Sequence, residues 1–246
     1  MSISYFISDV HLGFMSLEEE RSKEDLLLNL LAEITEKNGD LFILGDLFDF
    51  WYEYRHVVPR GFHRTLAALD RLTSSGARVE YLIGNHDFAV GDFFRTELNI
   101  PVHRRDLELY LQNKRLYLYH GDGLAASDTG YRFLKRILHN PIAQFVFRWI
   151  HPDIGFRLAR LSSHTSRNYT GQKDFGPSDG ILEEAKKRIN DGFDVVIMGH
   201  RHVPSFQRIE DGCYINLGAW LDDAPYAVLE HGEIRLRNRT GHDFHL

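Results

Sequence analysis

The sequence lacks the features that define several classes of protein. Its single cysteine, Cys213, excludes an intramolecular disulfide framework and suits a reducing compartment. No run approaches about 18 uninterrupted apolar residues, so we expect no transmembrane helix. The first residues lack a basic segment followed by a long apolar one, so we expect no signal peptide. Basic residues are not in excess either, and the net charge of -6 gives no general affinity for nucleic acid.

The composition that is present describes a globular chain. Its 246 residues are 43% hydrophobic and 13% aromatic, and they show no internal repeat. Apolar runs alternate first with helical spacing and later with hairpin turns, which predicts an α/β (α+β) fold of two packed sheets with helices outside. We expect a single domain over residues 1–246, with an insertion between residues 124 and 175.

The elements can be placed from hydrophobic periodicity and turn residues. Strands are predicted at 3–7, 41–44, 79–83 and 194–198, and hairpins at 107–119 and about Asp211-Gly212 and His231-Gly232. Helices are predicted over 61–75 and 178–191, and after Ser22, which is predicted to be an N-cap.

Polar residues follow most of these strands. Asp9 and His11 come directly after the first one, and side chains two residues apart on an extended chain point the same way. Because open α/β sheets bind ligands beyond the carboxyl ends of their strands, we expect such residues to converge. The predicted cluster has seven members: Asp9, His11, Asp46, Asn85, His120, His200 and His202.

A cluster of this kind favours a metal site. Buried carboxylates and imidazoles are costly without partners, and divalent cations remove that cost by coordination. Seven mixed ligands suit two ions with Asp46 bridging them, and favour Mn, Fe or Zn over Ca. Each residue alone also has an ordinary interpretation, since Asp46 and Asn85 beside glycine are typical turn formers and the histidines could lie on the surface.

The order of the motifs resembles that of the calcineurin-like metallophosphoesterases. Five motifs match between Ser8 and His202: Asp-x-His, Gly-Asp-x-x-Asp, Gly-Asn-His-Asp, His-Gly-Asp and Gly-His-x-His. The resemblance implies a four-layer α-β-β-α sandwich that holds two divalent ions. It implies that one ion is held by Asp9, His11, Asp46 and His202, and the other by Asp46, Asn85, His120 and His200.

The same resemblance assigns catalytic roles. Two cations about 3.5–4 Å apart acidify a bridging water and bind both the attacking and the leaving oxygen of a phosphoester. His86 would lie over the substrate and stabilise the transition state or protonate the leaving group, with Asp49 orienting it.

The segment from Leu124 to Phe175 interrupts the α/β pattern, and we call it the cap. It carries eight Lys and Arg against three Asp and Glu, a net +5, which leaves -11 on the rest of the chain. Its apolar residues recur at helical spacing. Three interpretations of such a basic helical cap stay open. It rests on an anionic membrane surface, it covers an amphiphilic phosphorylated substrate, or it only packs on the core.

With this cap, Gly-Asp-Leu-Phe-Asp and Leu217-Gly218-Ala219-Trp220, the chain resembles the UDP-2,3-diacylglucosamine pyrophosphatase (hydrolase) family of lipid A biosynthesis. The resemblance implies a cytoplasmic enzyme on the inner membrane face that uses Mn and releases UMP and 2,3-diacylglucosamine 1-phosphate. It implies substrate contacts by Asn85, His86, Asp128, Tyr131, Ser166, Thr170, Lys173 and His200.

The chain departs from that family at one position and leaves alternatives open. Well-known members carry Arg where this chain has His86, the common residue of the wider superfamily. One alternative is therefore a phosphoesterase of the same fold acting on another nucleotide or phospholipid, and another is an inactive binding scaffold. The aromatic run over residues 50–54 also has three open interpretations: it stacks a base, lines an acyl groove, or belongs to the core.

Overall fold

A computed structural model describes residues 2–87, 89–124, 140, 145, 147, 149–155, 180–220 and 223–239. Its elements, in chain order, are β1 (Ser4–Ile7), α1 (Leu17–Glu36), β2 (Asp40–Leu44), α2 (His63–Ser74), β3 (Val79–Leu82), α3 (Phe93–Glu97), β4 (Val102–His103), β5 (Leu107–Leu111), β6 (Lys114–Tyr119), α4 (Gly180–Asn190), β7 (Val195–Met198), β8 (Ser205–Ile209), β9 (Gly212–Asn216), β10 (Tyr226–Glu230) and β11 (Glu233–Arg237). Within these ranges, no helix has the length and apolar character needed to span a membrane.

The strands form two mixed sheets. The first sheet has the order β11-β10-β1-β2-β3-β4, and the second has the order β5-β6-β7-β9-β8. In the first sheet β1, β2, β3 and β4 are parallel, and β10 runs antiparallel to β1. In the second sheet β6, β7 and β9 are parallel, with antiparallel strands at both edges. Each sheet therefore has a parallel centre whose strand ends open onto loops at the same edge.

Three apolar clusters lie between the layers and pack them together. Because strand side chains alternate, Tyr5 and Ile7 of β1 pack with α1 and α2, while Phe6 between them packs toward the second sheet. On the far side, Ile181 and Ala185 of α4 pack against the outer face of the second sheet. This order of helices, sheet, sheet and helix confirms the predicted α-β-β-α fold.

The predicted start of the first helix was wrong. Ser16 is the N-cap of α1, and it forms a capping box in which its side chain accepts from the Glu19 backbone and Glu19 reaches back to the Ser16 N–H. Ser22 lies inside the helix. The three glutamates that follow Ser16 stabilise the first turn of α1.

Candidate metal centre

The structure brings the seven predicted ligands together at one edge of the two sheets. Asp9 and His11 follow β1, Asp46 follows β2, and Asn85 follows β3. His120 follows β6, and His200 and His202 follow β7. Among the described residues, three groups lie close enough to hold one metal ion: Asp9, His11 and His202; Asp9, Asp46 and His120; and His11, Asp46 and His86, of which His86 is not a predicted ligand.

The ligating atoms fall into two sets that meet at Asp46. In the first ligand set, Asp9 Oδ1 lies 3.6 Å from His11 Nε2 and 3.4 Å from His202 Nε2, and the two imidazole nitrogens are 3.3 Å apart. In the second ligand set, Asn85 Oδ1 lies 2.9 Å from His120 Nε2 and 2.8 Å from His200 Nδ1. Atoms that share one ion at about 2.1 Å stand roughly 3.0–3.4 Å apart. The distances in the two sets run from 2.8 to 3.6 Å, close to that range.

Asp46 Oδ2 lies between the two ligand sets. It is 3.9 Å from His11 Nε2 and 3.3 Å from His120 Nε2. Within the described part of the chain, Asp46 Oδ2 and Asp9 Oδ1 are buried without a hydrogen-bond partner, as is His11 Nδ1. Buried carboxylate oxygens are costly when unsatisfied, and a divalent cation is the partner that suits them. The donor set therefore fits divalent metal ions.

The second oxygen of each carboxylate is fixed by the protein. Asp9 Oδ2 accepts from the His200 backbone N–H at 2.9 Å and lies 2.6 Å from Ser8 Oγ. Asp46 Oδ1 accepts from the His86 backbone N–H at 2.7 Å. Each carboxylate thus keeps one oxygen for structure and leaves the other for the site. Hydrogen bonds of this kind orient metal ligands before an ion binds.

The tautomer of His120 is set in the same way. Its Nδ1 lies 2.7 Å from the Leu44 carbonyl oxygen, which can only accept, so Nδ1 carries the proton and donates. Nε2, which faces Asn85 and Asp46, is the nitrogen left for coordination.

The backbone at the site is held in an uncommon conformation. Five of the seven residues have positive φ: 54° at Asp9, 49° at His11, 55° at Asp46, 70° at His200 and 60° at His202. Left-handed non-glycine residues cost about 1–3 kcal/mol each and persist where the surroundings impose them. Here the strain turns consecutive side chains toward one point.

Burial and charge separate the ionisation states of the histidines. Burial, together with the nearby His86 and His202 side chains, lowers the pKa of His11 to about 3, and burial with the nearby His120 charge lowers that of His200 to about 4. Burial also acts to lower the pKa of His120, but attraction by Asp46 and Asp9 outweighs it and raises the pKa to about 10. His11 and His200 are therefore neutral ligands at pH 7, whereas His120 is ion-paired with carboxylates until an ion displaces its proton.

Both carboxylates favour the charged form although burial opposes it. Burial acts to raise the pKa of Asp9, yet the imidazoles of His11 and His202, 3.6 and 3.4 Å from its Oδ1, hold that pKa well below its usual value. Burial also acts to raise the pKa of Asp46. The charges of His120 and His86 outweigh burial, so the pKa lies well below its usual value. Two buried anionic groups at neutral pH are what a cation site requires.

Asp49 and His86 are also brought together, but the contact differs from the one expected. His86 Nδ1 lies 2.7 Å from the backbone carbonyl oxygen of Asp49, and 3.5 Å from its carboxylate. The Asp49 carboxylate also lies 3.9 Å from His11 Nδ1. The carbonyl thus places the proton of His86 on Nδ1 and leaves Nε2 for other partners.

Several supporting residues were not assigned a role from the sequence. Asp87 is buried and accepts through Oδ2 from the backbone N–H groups of Asp46 and Gly84, at 3.0 and 2.8 Å, while Tyr81 donates to its other oxygen. Asn216, the last residue of β9, donates to the Gly199 carbonyl at 2.6 Å. Asp87 belongs to the Gly-Asn-His-Asp motif, which was the available signal, whereas nothing in the sequence pointed to Asn216.

The aromatic run over residues 50–54 is part of the packing rather than an open surface. Trp51 is fully buried in the main core, and Tyr52 packs in a small cluster with Phe50 and Phe147. Tyr54 donates to the Ile150 carbonyl oxygen at 3.3 Å. The run therefore attaches the described residues of the cap to the loop that carries Asp49. The five predicted cap contacts, Asp128, Tyr131, Ser166, Thr170 and Lys173, lie outside the described residues.

The calcineurin-like phosphoesterase family matches residues 4–204, which include every ligand described above. The chain therefore belongs to the calcineurin-like phosphoesterases and is a metal-dependent hydrolase. The fold agrees with that of Yfce, a phosphoesterase from E. coli, with a TM-score of 0.50 at 17% identity over 99% of this chain and 97% of that one.

Two named relatives are more similar in sequence. A UDP-2,3-diacylglucosamine hydrolase of Porphyromonas gingivalis is 30% identical over 242 residues, covering 91% of this chain and 92% of the relative. A UDP-2,3-diacylglucosamine hydrolase of Yersinia pseudotuberculosis is 30% identical over 224 residues, covering 87% and 90%. The similarity spans nearly the full length of both relatives.

Proposed function

We propose that this protein is a two-metal phosphoesterase that hydrolyses the pyrophosphate of UDP-2,3-diacylglucosamine to UMP and 2,3-diacylglucosamine 1-phosphate, a step of lipid A biosynthesis. The observation that carries the two-metal site is the position of Asp46 Oδ2, which is buried between the two ligand sets without a hydrogen-bond partner. The names of the two relatives support the substrate.

The ligands proposed for one ion are Asp9, His11, His202 and Asp46, and those for the other are Asp46, Asn85, His120 and His200. The mixture of carboxylate, amide and imidazole favours Mn, with Fe and Zn as alternatives. When bound, two such ions supply Lewis acidity and a water of lowered pKa. The protein contributes a fixed arrangement of donors around the phosphorus that is attacked.

His86 is proposed to act on the substrate rather than as a ligand. Its backbone N–H and its Nδ1 are both engaged, by Asp46 and by the Asp49 carbonyl, so the ring is held in one orientation. Nε2 is then available to contact a phosphate oxygen, either stabilising its charge or donating a proton to the leaving group. Asp49 is proposed as its positioning partner, and Asn85 and His200 as further residues near the phosphate.

An apolar cleft beside the site supports an amphiphilic substrate. It has a volume of about 1340 Å³ and extends from Leu12 and Asp49 past Phe50 and Val57 to Pro152 in the cap. Pockets of this size and character accommodate hydrocarbon chains. We propose that it receives acyl chains, and that Asp128, Tyr131, Ser166, Thr170 and Lys173 of the cap complete the substrate site.

The cap is proposed to be part of one domain and to bring the enzyme to the membrane. Phe147 and Ile150 contact the aromatic run at 50–54, which supports an insertion packed on a single domain. Phe145, Trp149 and Ile154 are exposed apolar side chains in a segment of net charge +5. Such a surface suits peripheral binding to the inner, anionic face of the cytoplasmic membrane.

The test is release of UMP from UDP-2,3-diacylglucosamine in detergent micelles with Mn²⁺. We expect equal amounts of UMP and the lipid monophosphate, loss of turnover with EDTA, and recovery with Mn²⁺. UDP-N-acetylglucosamine, which lacks the acyl chains, is the control substrate and should react far more slowly. Hydrolysis of a simple phosphodiester without UMP release would favour the same fold acting on another substrate. Two bound ions without any hydrolysis would favour a binding scaffold.

A variant separates His86 from the ligands. His86→Asn keeps the backbone N–H that binds Asp46 but removes the ring, so we expect two bound ions and a rate reduced about 10²-fold. His86→Arg tests whether the side chain of the better-known relatives is tolerated. Loss of an ion in His86→Asn would contradict the assignment of His86 to the substrate.

A further inference from the structure

A lysine lies on the apolar face of α1. Lys23 precedes Leu27, Leu30 and Ile34 at helical spacing, and like them it is buried, with 5% of its surface exposed. A buried ammonium group is costly unless it is paired and hydrogen-bonded. Its position therefore points to specific partners rather than to solvent.

Lys23 and Glu20 both form hydrogen bonds to the backbone of the loop that carries His11. Lys23 Nζ donates to the His11 carbonyl oxygen at 2.8 Å and forms an ion pair with Glu20 Oε1 at 3.0 Å. The Glu20 carboxylate accepts from three consecutive backbone N–H groups, those of Gly13 at 2.8 Å, Phe14 at 3.0 Å and Met15 at 2.7 Å. One turn of α1 thus binds four backbone groups of residues 11–15, namely three N–H groups and one carbonyl.

These contacts hold a strained segment. His11 has φ of 49°, a left-handed conformation that a histidine keeps only if its surroundings impose it. The φ of 100° at Gly13 is one that glycine adopts without strain. The His11 N–H donates to the Asp46 carbonyl at 2.9 Å, and the His11 carbonyl accepts from Lys23. The residue is therefore fixed on both sides, by another ligand and by α1, and this sets the direction of its side chain.

We infer that Lys23 and Glu20 are positioning residues for the metal ion of the first ligand set, acting through the backbone of His11. They touch no reacting atom, and the loop they hold carries a ligand of the first set only. The inference rests on the proposed two-metal site. A role limited to anchoring α1 would instead affect stability without distinguishing the two ions.

The experiment measures Mn²⁺ binding in two backgrounds by calorimetry. His200→Ala removes a ligand of the second set, so the remaining ion reports on the first set, and His202→Ala does the reverse. We expect Lys23→Met to lower the affinity for Mn²⁺ about 10- to 100-fold in the His200→Ala background. In the His202→Ala background the affinity should fall less than about twofold. Glu20→Gln should act in the same direction. Lys37→Met, which breaks an exposed Lys–Glu pair on the same helix, is the matched control and should change neither.

The outcomes separate this inference from the proposed function. Equal weakening in both backgrounds, or none in either, would overturn the positioning role, and a variant that unfolds would produce equal loss. Wild-type protein that binds one ion through the first set, still weakened by Lys23→Met, would contradict the two-metal site and leave the positioning role standing. A melting temperature measured without metal shows how much of the effect belongs to folding alone.

Discussion

The two ligand sets are built differently. All three residues of the first set, Asp9, His11 and His202, have left-handed backbone, whereas only His200 does in the second. The His202 side chain is 24% exposed, while His120 of the second set is fully buried and fixed by the Leu44 carbonyl. The first set depends on a strained backbone that neighbouring elements hold in place, and the second on side-chain hydrogen bonds among Asn85, His120 and His200. We therefore expect the ion of the first set to bind more weakly and exchange faster.

The strongest way to break this comparison is to remove the residue that both sets share. We expect Asp46→Ala to lose both ions and to reduce kcat/KM about 10³-fold or more, equivalent to roughly 4 kcal/mol. Metal analysis of the purified protein and turnover assays measure the two effects. Asp70→Ala, at an exposed position on α2, is the control and should keep both ions. Retention of two ions by Asp46→Ala would rule out a bridging role.

The next test separates the two sets. His202→Ala and His200→Ala should each leave one ion per chain, with activity reduced about 10²-fold in each. In wild-type protein, chelation should be biphasic, because we expect the ion of the first set, whose His202 side chain is 24% exposed, to leave first. We expect His202→Ala to lack the fast phase and His200→Ala to lack the slow one. A single phase in the wild type would mean that the two sites are equivalent.

The third prediction concerns Asp87, whose carboxylate binds the backbone beside the shared ligand Asp46. Asp87→Ala leaves the backbone N–H groups of Asp46 and Gly84 buried without an acceptor, so we expect unfolding free energy to fall by about 2 kcal/mol. Asp87→Asn retains an oxygen at that point and should cost less than about 1 kcal/mol. Urea unfolding of the metal-free proteins measures both. Similar losses in the two variants would mean that the charge matters more than the hydrogen bonds.

The smallest effect concerns how closely the sheets approach at the first set. A methyl group on Gly199 would overlap Ser8 Oγ and the Asp9 carboxylate. We expect Gly199→Ala to displace Asp9 and weaken the ion of the first set about tenfold, about 1.4 kcal/mol. Gly76→Ala, where the added atom meets nothing within 4 Å, should leave ion binding unchanged. Titration with Mn²⁺ in the His200→Ala background provides the measurement, and an unchanged affinity there would show that the loop yields without cost.

The parts of the site that sequence predicted share one property. Asp9, Asp46, Asn85, His120 and His200 all follow short apolar strands, and the rule that parallel strand ends meet at one edge needs no knowledge of the turns between. The change from strands separated by helices to strands joined by hairpins likewise predicted the two layers of sheet. These features depend on patterns within a few residues of each other, which a single chain displays directly.

What sequence could not supply depends on backbone geometry and on distant contacts. Asp49 meets His86 through its carbonyl, and every residue has one, so side-chain identity carries no signal for it. Ser22 and Ser16 are equally good caps by type, and the glutamate three residues after Ser16 decided between them. Lys23 did carry a signal, since a charged residue on an apolar helical face needs a partner, but the partner is a carbonyl in another element.

The origin of the ligands gives the site a mechanical consequence. In the first set, Asp9 and His11 follow a strand of the first sheet, and His202 follows a strand of the second. In the second set, Asn85 follows a strand of the first sheet and His120 a strand of the second. A cation in either position would act as a cross-link between two layers otherwise joined by apolar contacts and by hydrogen bonds such as that of His120 to the Leu44 carbonyl. Metal loading should therefore slow amide hydrogen exchange in β1 and β7 together, far more than in the edge strands β4 and β8.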